Sequence, residues 1–420
     1  FKGTAVRARA AKPGHLPSEI VTHTYFVHPD IQTRFHQDIV SIVTNEKHFF
    51  DYETGIYVAG RAFDDWRTAN PDNTADWWLF GNYYGSGRLW ERPAHVELFE
   101  QGTGARLLSQ NVGVRIHGGS SRIRTPKSLR LYARNDYDEA GLMAYPFFPG
   151  ATTKDTGAPL EAFKRVNLRT GGHIQDHLRD VPAHLLMQST QVDMMRARPV
   201  VHFLNGEFLG MSHIRDRFDH HHLAHNYGVD PENVVILEGP NTPVGAEALD
   251  EGLYEDLALY NDLYAFVAAN DISAPANYAQ VASQLDIDSY IDLQVAFIYL
   301  NNWDWIGSKH FKFWRVRETS DEPYHDGKWR THAWDFDASP RAQIPGNVYA
   351  DFDFDLVINA IHPTGGGNGW THGSAEKTLF LRKLLENTTF YRRFLNRFAD
   401  HINTTFHPDR VKAVATAEYD

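Results

Sequence analysis

Cysteine is absent from all 420 residues. That excludes disulfides, thiolate metal sites and cysteine nucleophiles, and leaves the compartment open. Long apolar runs are missing as well. No stretch approaches the ~18 apolar residues of a membrane-crossing helix, so no membrane span is expected. An excess of basic charge is also lacking: the net charge is −12 and the pI about 6.0. With no basic stripe to meet a phosphate backbone, no nucleic-acid partner is expected. There is no internal repeat, no low-complexity tract, no Gly-x-Ser-x-Gly elbow, no His-Glu-x-x-His zinc helix and no complete P-loop. The opening residues lack a signal-peptide pattern, and a start at Phe1 reads as a mature or excised piece.

What is present suits a well-buried core, with 42% hydrophobic and 22% charged residues. The length suggests two to three units of roughly 150 residues, or one two-lobed domain with an extra piece. Aromatic content is high at 13%. It serves either flat contact surfaces, sugar-binding ones included, or the filling of a large mixed core.

Along the chain, residues 4–10 and 21–27 alternate around a Lys12-Pro13-Gly14 turn and predict a β-hairpin. Alternating runs at 37–43, 94–100, 111–117, 128–133, 163–168, 198–204 and 208–214 predict an antiparallel sheet, with Asn205-Gly206 as a hairpin turn. A short strand is expected at 55–60 and a long ordered loop at 64–89. Helical spacing appears at 176–188, 249–268, 288–300 (with Asp288 as N-cap), 374–386 and 390–403. Strands first and helices later predict an α+β protein with a sheet-rich and a helix-rich lobe.

The most informative stretch is Asn301-Asn302-Trp303-Asp304-Trp305, followed by two strands turning at Asp326-Gly327 and ending in Asp335-Phe336-Asp337. A helix end and a strand end thus carry carboxylates one hairpin apart. Further upstream come Gly113 to Arg122, with Gly118-Gly119, then Pro126-Lys127-Ser128, and Phe203 to Gly210 with Ile214-Arg215-Asp216-Arg217. In this order the segments resemble the CotH kinase-like family of spore-coat and secreted proteins. Residues 1–28 resemble the last hairpin of a chitobiase-type, immunoglobulin-like β module. The resemblance therefore divides the chain into a module remnant at 1–28, a CotH kinase-like domain at 29–405 and a tail or linker at 406–420.

The resemblance implies an atypical protein-kinase-like fold with a sheet-rich N-lobe and a helical C-lobe. It implies ATP and Mg²⁺ or Mn²⁺ as cofactors, and a secreted or cell-surface location. Asp304 matches the catalytic-loop aspartate, and Asp335 or Asp337 the metal aspartate. Lys127 matches the lysine that reaches the phosphates, beside the turn of Gly118 and Gly119 and with Arg115 adding charge. Asp216 stands where a hinge acid is usual. One departure is that Lys309 occupies the place of a metal-binding Asn; Asn302 or His310 is then left to supply that ligand.

Other readings of the same residues stand beside these. Asp335 and Asp337 also suit a turn cap or a Ca²⁺ site, Lys127 a surface strand lysine, and Gly118-Gly119 an ordinary tight turn. His220-His221-His222 is either a transition-metal cluster or a solvated helix start. Lys309 and the aromatic loop keep open a non-catalytic extracellular module that serves adhesion or binds a polysaccharide. Transfer of AMP or an amino acid in place of phosphate is a third option. The protein acceptor is not legible.

Overall fold

In the computed structural model, which describes residues 1–73, 80–171, 179–240, 242–302, 310–337, 339 and 376–419, the alternating runs of the first half close into a barrel. In chain order the strands are β1 (Thr4–Ala8), β2 (Val21–Tyr25), β3 (Asp38–Val43), β4 (Arg92–Phe99), β5 (Arg106–Ile116), β6 (Leu129–Tyr132), β7 (Arg165–Arg169), β8 (Asp193–Met194), β9 (Ala197–Leu204), β10 (Glu207–Asp216), β11 (Val234–Glu238), β12 (Leu249–Glu251), β13 (Phe311–Val316) and β14 (Arg330–Ala333). The described residues fall into two compact units, one from 1–151, 159–174 and 197–217, the other from 152–158, 175–196 and 218–420.

The first unit is a closed barrel in the order β10-β7-β6-β5-β4-β3-β9. Closure removes the free edges that an open antiparallel sheet would expose. Neighbours pair antiparallel except β3 with β9, which run parallel. Asn205 and Gly206, with φ of 49° and 83°, make the β9–β10 turn, as Asn-Gly does when both central residues need positive φ. Inward residues such as Val40, Ile42, Val114, Leu131, Leu168 and Ile214 fill the interior. Each such side chain contributes about 1.5–3 kcal/mol when fully buried. The β1–β2 hairpin lies on the barrel: the Thr24 N–H donates to the buried Glu97 carboxylate (2.6 Å), and Phe1 and Phe26 pack on Phe203. An isolated two-stranded hairpin is marginal in water, so this packing accounts for its order.

The second unit pairs a five-stranded sheet, β12-β11-β13-β14-β8, with helices. Its core includes Tyr260, Phe297, Phe313 and Trp329, all at most 2% exposed. The helix Ile287–Tyr299 is capped by Asp286, whose side chain accepts from the Ser289 N–H, and not by Asp288. Asp288 instead pairs with Arg393. Ile291 and Val295 are buried as expected, whereas Tyr299 is 40% exposed and stacks on Phe406.

Several expectations need correction. Residues 55–60 form turns, not a strand: Gly60 has φ of 56° and begins the helix Gly60–Ala69, which overlaps the start of the expected loop at 64–89. The helix expected at 249–268 begins only at Leu257, because Leu249–Glu251 pairs with β11. The described part of the helix at 176–188 is Asp180–Met187. Residues 406–420, expected as a tail or linker, carry the helix Pro408–Tyr419. The helix-rich half thus holds a sheet of its own, whose strands are too short to give a clear period in the sequence.

Candidate functional site

The helix Ile287–Tyr299 is followed by Asn301 and Asn302, the former in the left-handed region at φ 46°. Asn302 is fully buried. Its N–H donates to the Phe297 carbonyl (3.0 Å), and its carboxamide nitrogen donates to the Asp335 carbonyl (3.3 Å). The expected pair of β13 and β14 forms, with Gly327 at φ 68° in the turn, and sets down Asp335-Phe336-Asp337 at its end. Asn302 thus ties the end of the helix to the Asp335 turn.

Phe336 is the anchor of this turn. It is fully buried, stacked on Phe297 at 5.2 Å, and its N–H donates to Asp180 Oδ1 at 2.8 Å. Asp335 itself sits at φ 64°, a region that aspartate enters more readily than most residues and that holds only where neighbours fix it. Its carboxylate is 27% exposed and lies 3.4 Å from His310 Nε2. With Phe336 pinned inward, the aspartates on either side remain partly accessible. Asp180, 1% exposed in the first turn of its helix, was missed by sequence reasoning. Nothing in the local pattern links it to a turn 156 residues away. Asp304 and Lys309 lie outside the described residues.

Asp335 and Asp337, on either side of the buried Phe336, and Asn302, bonded to the Asp335 carbonyl, carry the oxygen donors that a hard cation takes. A Mg²⁺ or Mn²⁺ ion that keeps waters and phosphate oxygens needs only one or two protein carboxylates, so the set fits. Among the described residues no three His, Asp or Glu side chains converge as a complete metal group.

In the barrel unit, Lys127 is 3% exposed and turned into its own loop. Its ammonium donates to the carbonyls of Arg122 (2.5 Å) and Arg124 (3.2 Å), and lies 4.2 Å from the Tyr83 ring centroid. Burial lowers its pKa to about 8. Gly118 sits at φ 117°, a backbone conformation that strains any side chain, and a Cβ there would press on Ser121 Oγ at 2.4 Å; Gly119 has open space around it. Asp216 is buried at the end of β10, opposite Val166 and on the strand face opposite to Arg215.

Arg115 belongs to a larger feature that the sequence did not reveal. Register places Arg115 beside Arg130, Arg130 beside Asn167 and Asn167 beside Arg215, one row across β5, β6, β7 and β10. Val114, Leu131, Leu168 and Ile214 face the barrel interior, so this row faces outward. Arg130 donates to Asn167 Oδ1 (2.9 Å) and to His117 Nδ1 (2.8 Å). Burial and the charges of Arg130, Arg169, Arg217 and Arg122 push the His117 pKa well down. The Tyr132 ring carries Arg115 at 4.5 Å and Arg134 at 4.9 Å. Glu91, with a fully buried side chain, pairs with Arg88, Arg115 and Arg134. Arginines directly opposed across strands repel. Glu91 offsets Arg115; Asn167 and Arg215 are buried, and Arg115 and Arg130 remain partly accessible.

Compared with known families, residues 114–419 match the one described as CotH kinase protein. The chain belongs to the CotH kinase family. No curated protein matches the chain. The CotH match includes Arg115, the glycine turn, Lys127, Asp216, Asn302, Asp335 and Asp337, and runs into the last helix. The β1–β2 hairpin, β3 and β4 precede it.

Proposed function

We propose that the chain is a metal- and ATP-dependent phosphotransferase with a two-lobed, atypical kinase-like fold, acting on a secreted or surface protein. The observation that carries this reading is the CotH match over 114–419 together with the joining of Asn302 to the Asp335 turn. Asp335, Asp337 and Asn302 would hold Mg²⁺ or Mn²⁺. A bound ion would supply charge neutralisation between the β- and γ-phosphates. Lys127, Arg115, Gly118 and Gly119 take the nucleotide-binding roles that the family resemblance carries to them, with the Lys127 ammonium seated on the Arg122 and Arg124 carbonyls. Asp216 takes the hinge role. Asp304 accepts the proton of the attacking hydroxyl, the role that its match to the family's catalytic aspartate implies. The location follows the spore-coat and secreted proteins that the sequence resembles.

The test is transfer from ATP to the chain itself or to a candidate acceptor, read by mass. A gain of about 80 Da per phosphoryl group is expected, lost in Asp304→Asn while ATP binding persists. Loss of both, or of neither, contradicts the assignment. A second reading is favoured by Lys309 where a metal-binding Asn is usual: a non-catalytic module on the same scaffold, which would bind polysaccharide and show no nucleotide affinity.

A further inference from the structure

Away from the Asp335 turn, the second unit carries a cavity of about 390 Å³ beside the helices Thr388–Asn403 and Pro408–Tyr419. Its inner lining is Arg397, Arg410, His401, Thr190 and Thr405, all buried or half-buried. Beneath it, the fully buried Asp292 accepts from Arg397, from His401 Nε2 (2.8 Å) and from the Gln191 N–H (2.7 Å). That carboxylate is committed to Arg397 and His401. Arg410 has no such partner: its guanidinium donates to the carbonyls of Thr405 (3.1 Å) and Leu186 (3.0 Å). Among the described residues no carboxylate forms an ion pair with it. Arg397 gives Nε and Nη2 to Asp292, and its Nη1 lies 3.7 Å from Asp288. A guanidinium offers five N–H donors, so it is mainly Arg410, bonded only to two carbonyls, that retains donors for a further acceptor. The Ser189 hydroxyl stands at the exposed edge of the cavity. The one acidic side chain in the lining, Asp400, is also exposed at that rim and not in the interior.

We infer that this cavity binds a phosphate dianion, either free or as a phosphomonoester. Paired guanidiniums are the groups best matched to phosphate oxygens. The inference stands apart from the proposed phosphotransferase activity and uses none of its residues. Calorimetric titration of the full chain with inorganic phosphate, and separately with a phosphoserine peptide and its unphosphorylated form, tests it. Saturable binding of inorganic phosphate or of the phosphopeptide is expected, with the tighter of the two naming the source. Arg410→Gln should weaken it tenfold or more, Asp400→Asn should tighten it several-fold, and Asp335→Asn should leave it unchanged. Asp400 is exposed, so its variant keeps the test valid even if Arg410→Gln does not fold. No saturable binding by either probe, equal binding of both peptides without inorganic phosphate binding, or an Asp400→Asn affinity that is unchanged or weaker overturns the inference.

Discussion

Asp180→Ala removes the acceptor of the Phe336 N–H while leaving Phe336 buried against Phe297. An N–H left buried without a partner costs about 1–3 kcal/mol. The left-handed backbone at Asp335 is the part of the turn with least intrinsic preference, so the penalty should be relieved there. If all of it falls on the Asp335 geometry, metal-dependent ATP binding weakens by about 5–150-fold. Asp180→Asn keeps an oxygen at the same place and loses the charge in the first helical turn, a change of about 0.3–1 kcal/mol, together with the charge facing His184 Nε2 at 3.3 Å.

The assay is urea unfolding of both variants, paired with ATP titration in the presence of Mn²⁺. Alanine should be less stable than asparagine by about 1–2 kcal/mol, and ATP binding should fall in the alanine variant alone. Because Asp180 acts through the turn and touches no ligand, it is a positioning residue. Turnover should show a raised KM for metal–ATP with a smaller change in kcat. Equal behaviour of the two variants, or a stability loss with unchanged ATP binding, would refute the reasoning.

Three further outcomes follow from the buried charges. Glu91→Gln removes the carboxylate that Arg115 and Arg134 share, while Arg88 keeps Asp136, and should cost about 1–3 kcal/mol in urea unfolding. Burial raises the Asp292 pKa, but hydrogen bonds from His401 and Arg397 outweigh it and hold the folded value down. Its contribution is therefore present above the unfolded carboxylate pKa and lost as pH falls through the folded one, so Asp292→Asn should flatten the acid limb of the stability curve. Lys127 runs the other way: burial brings its folded pKa to about 8, below the ordinary 10.5. Between those values the unfolded chain binds more protons, so stability should rise with pH across that window, and Lys127→Met should remove the rise.

The sequence made the barrel strands legible because each alternates strongly and Asn205-Gly206 marks a turn. It did not show closure. That depends on β3 running parallel to β9, a pairing more than 150 residues apart, with no local signature. The β13–β14 pair and its turn at Gly327 were readable, whereas the bond from Asn302 to the Asp335 carbonyl was not. Asp180 and the arginine row were not, since both arise from long-range register: Arg115, Arg130 and Arg215 look like ordinary strand residues until β5, β6, β7 and β10 align. The seating of the Lys127 ammonium on the Arg122 and Arg124 carbonyls likewise has no signature in the sequence. The short strands β8, β11 and β12 gave too little pattern to separate them from turns.

The central claim is that the Asp335 turn belongs to a metal–ATP site. Calorimetric titration of ATP into the full chain, with Mn²⁺ or Mg²⁺ and then with chelator, tests it most directly. The account predicts binding that requires the metal and that Asp335→Ala or Asp337→Ala abolishes. Absence of binding with either metal, or binding indifferent to both substitutions, would contradict it.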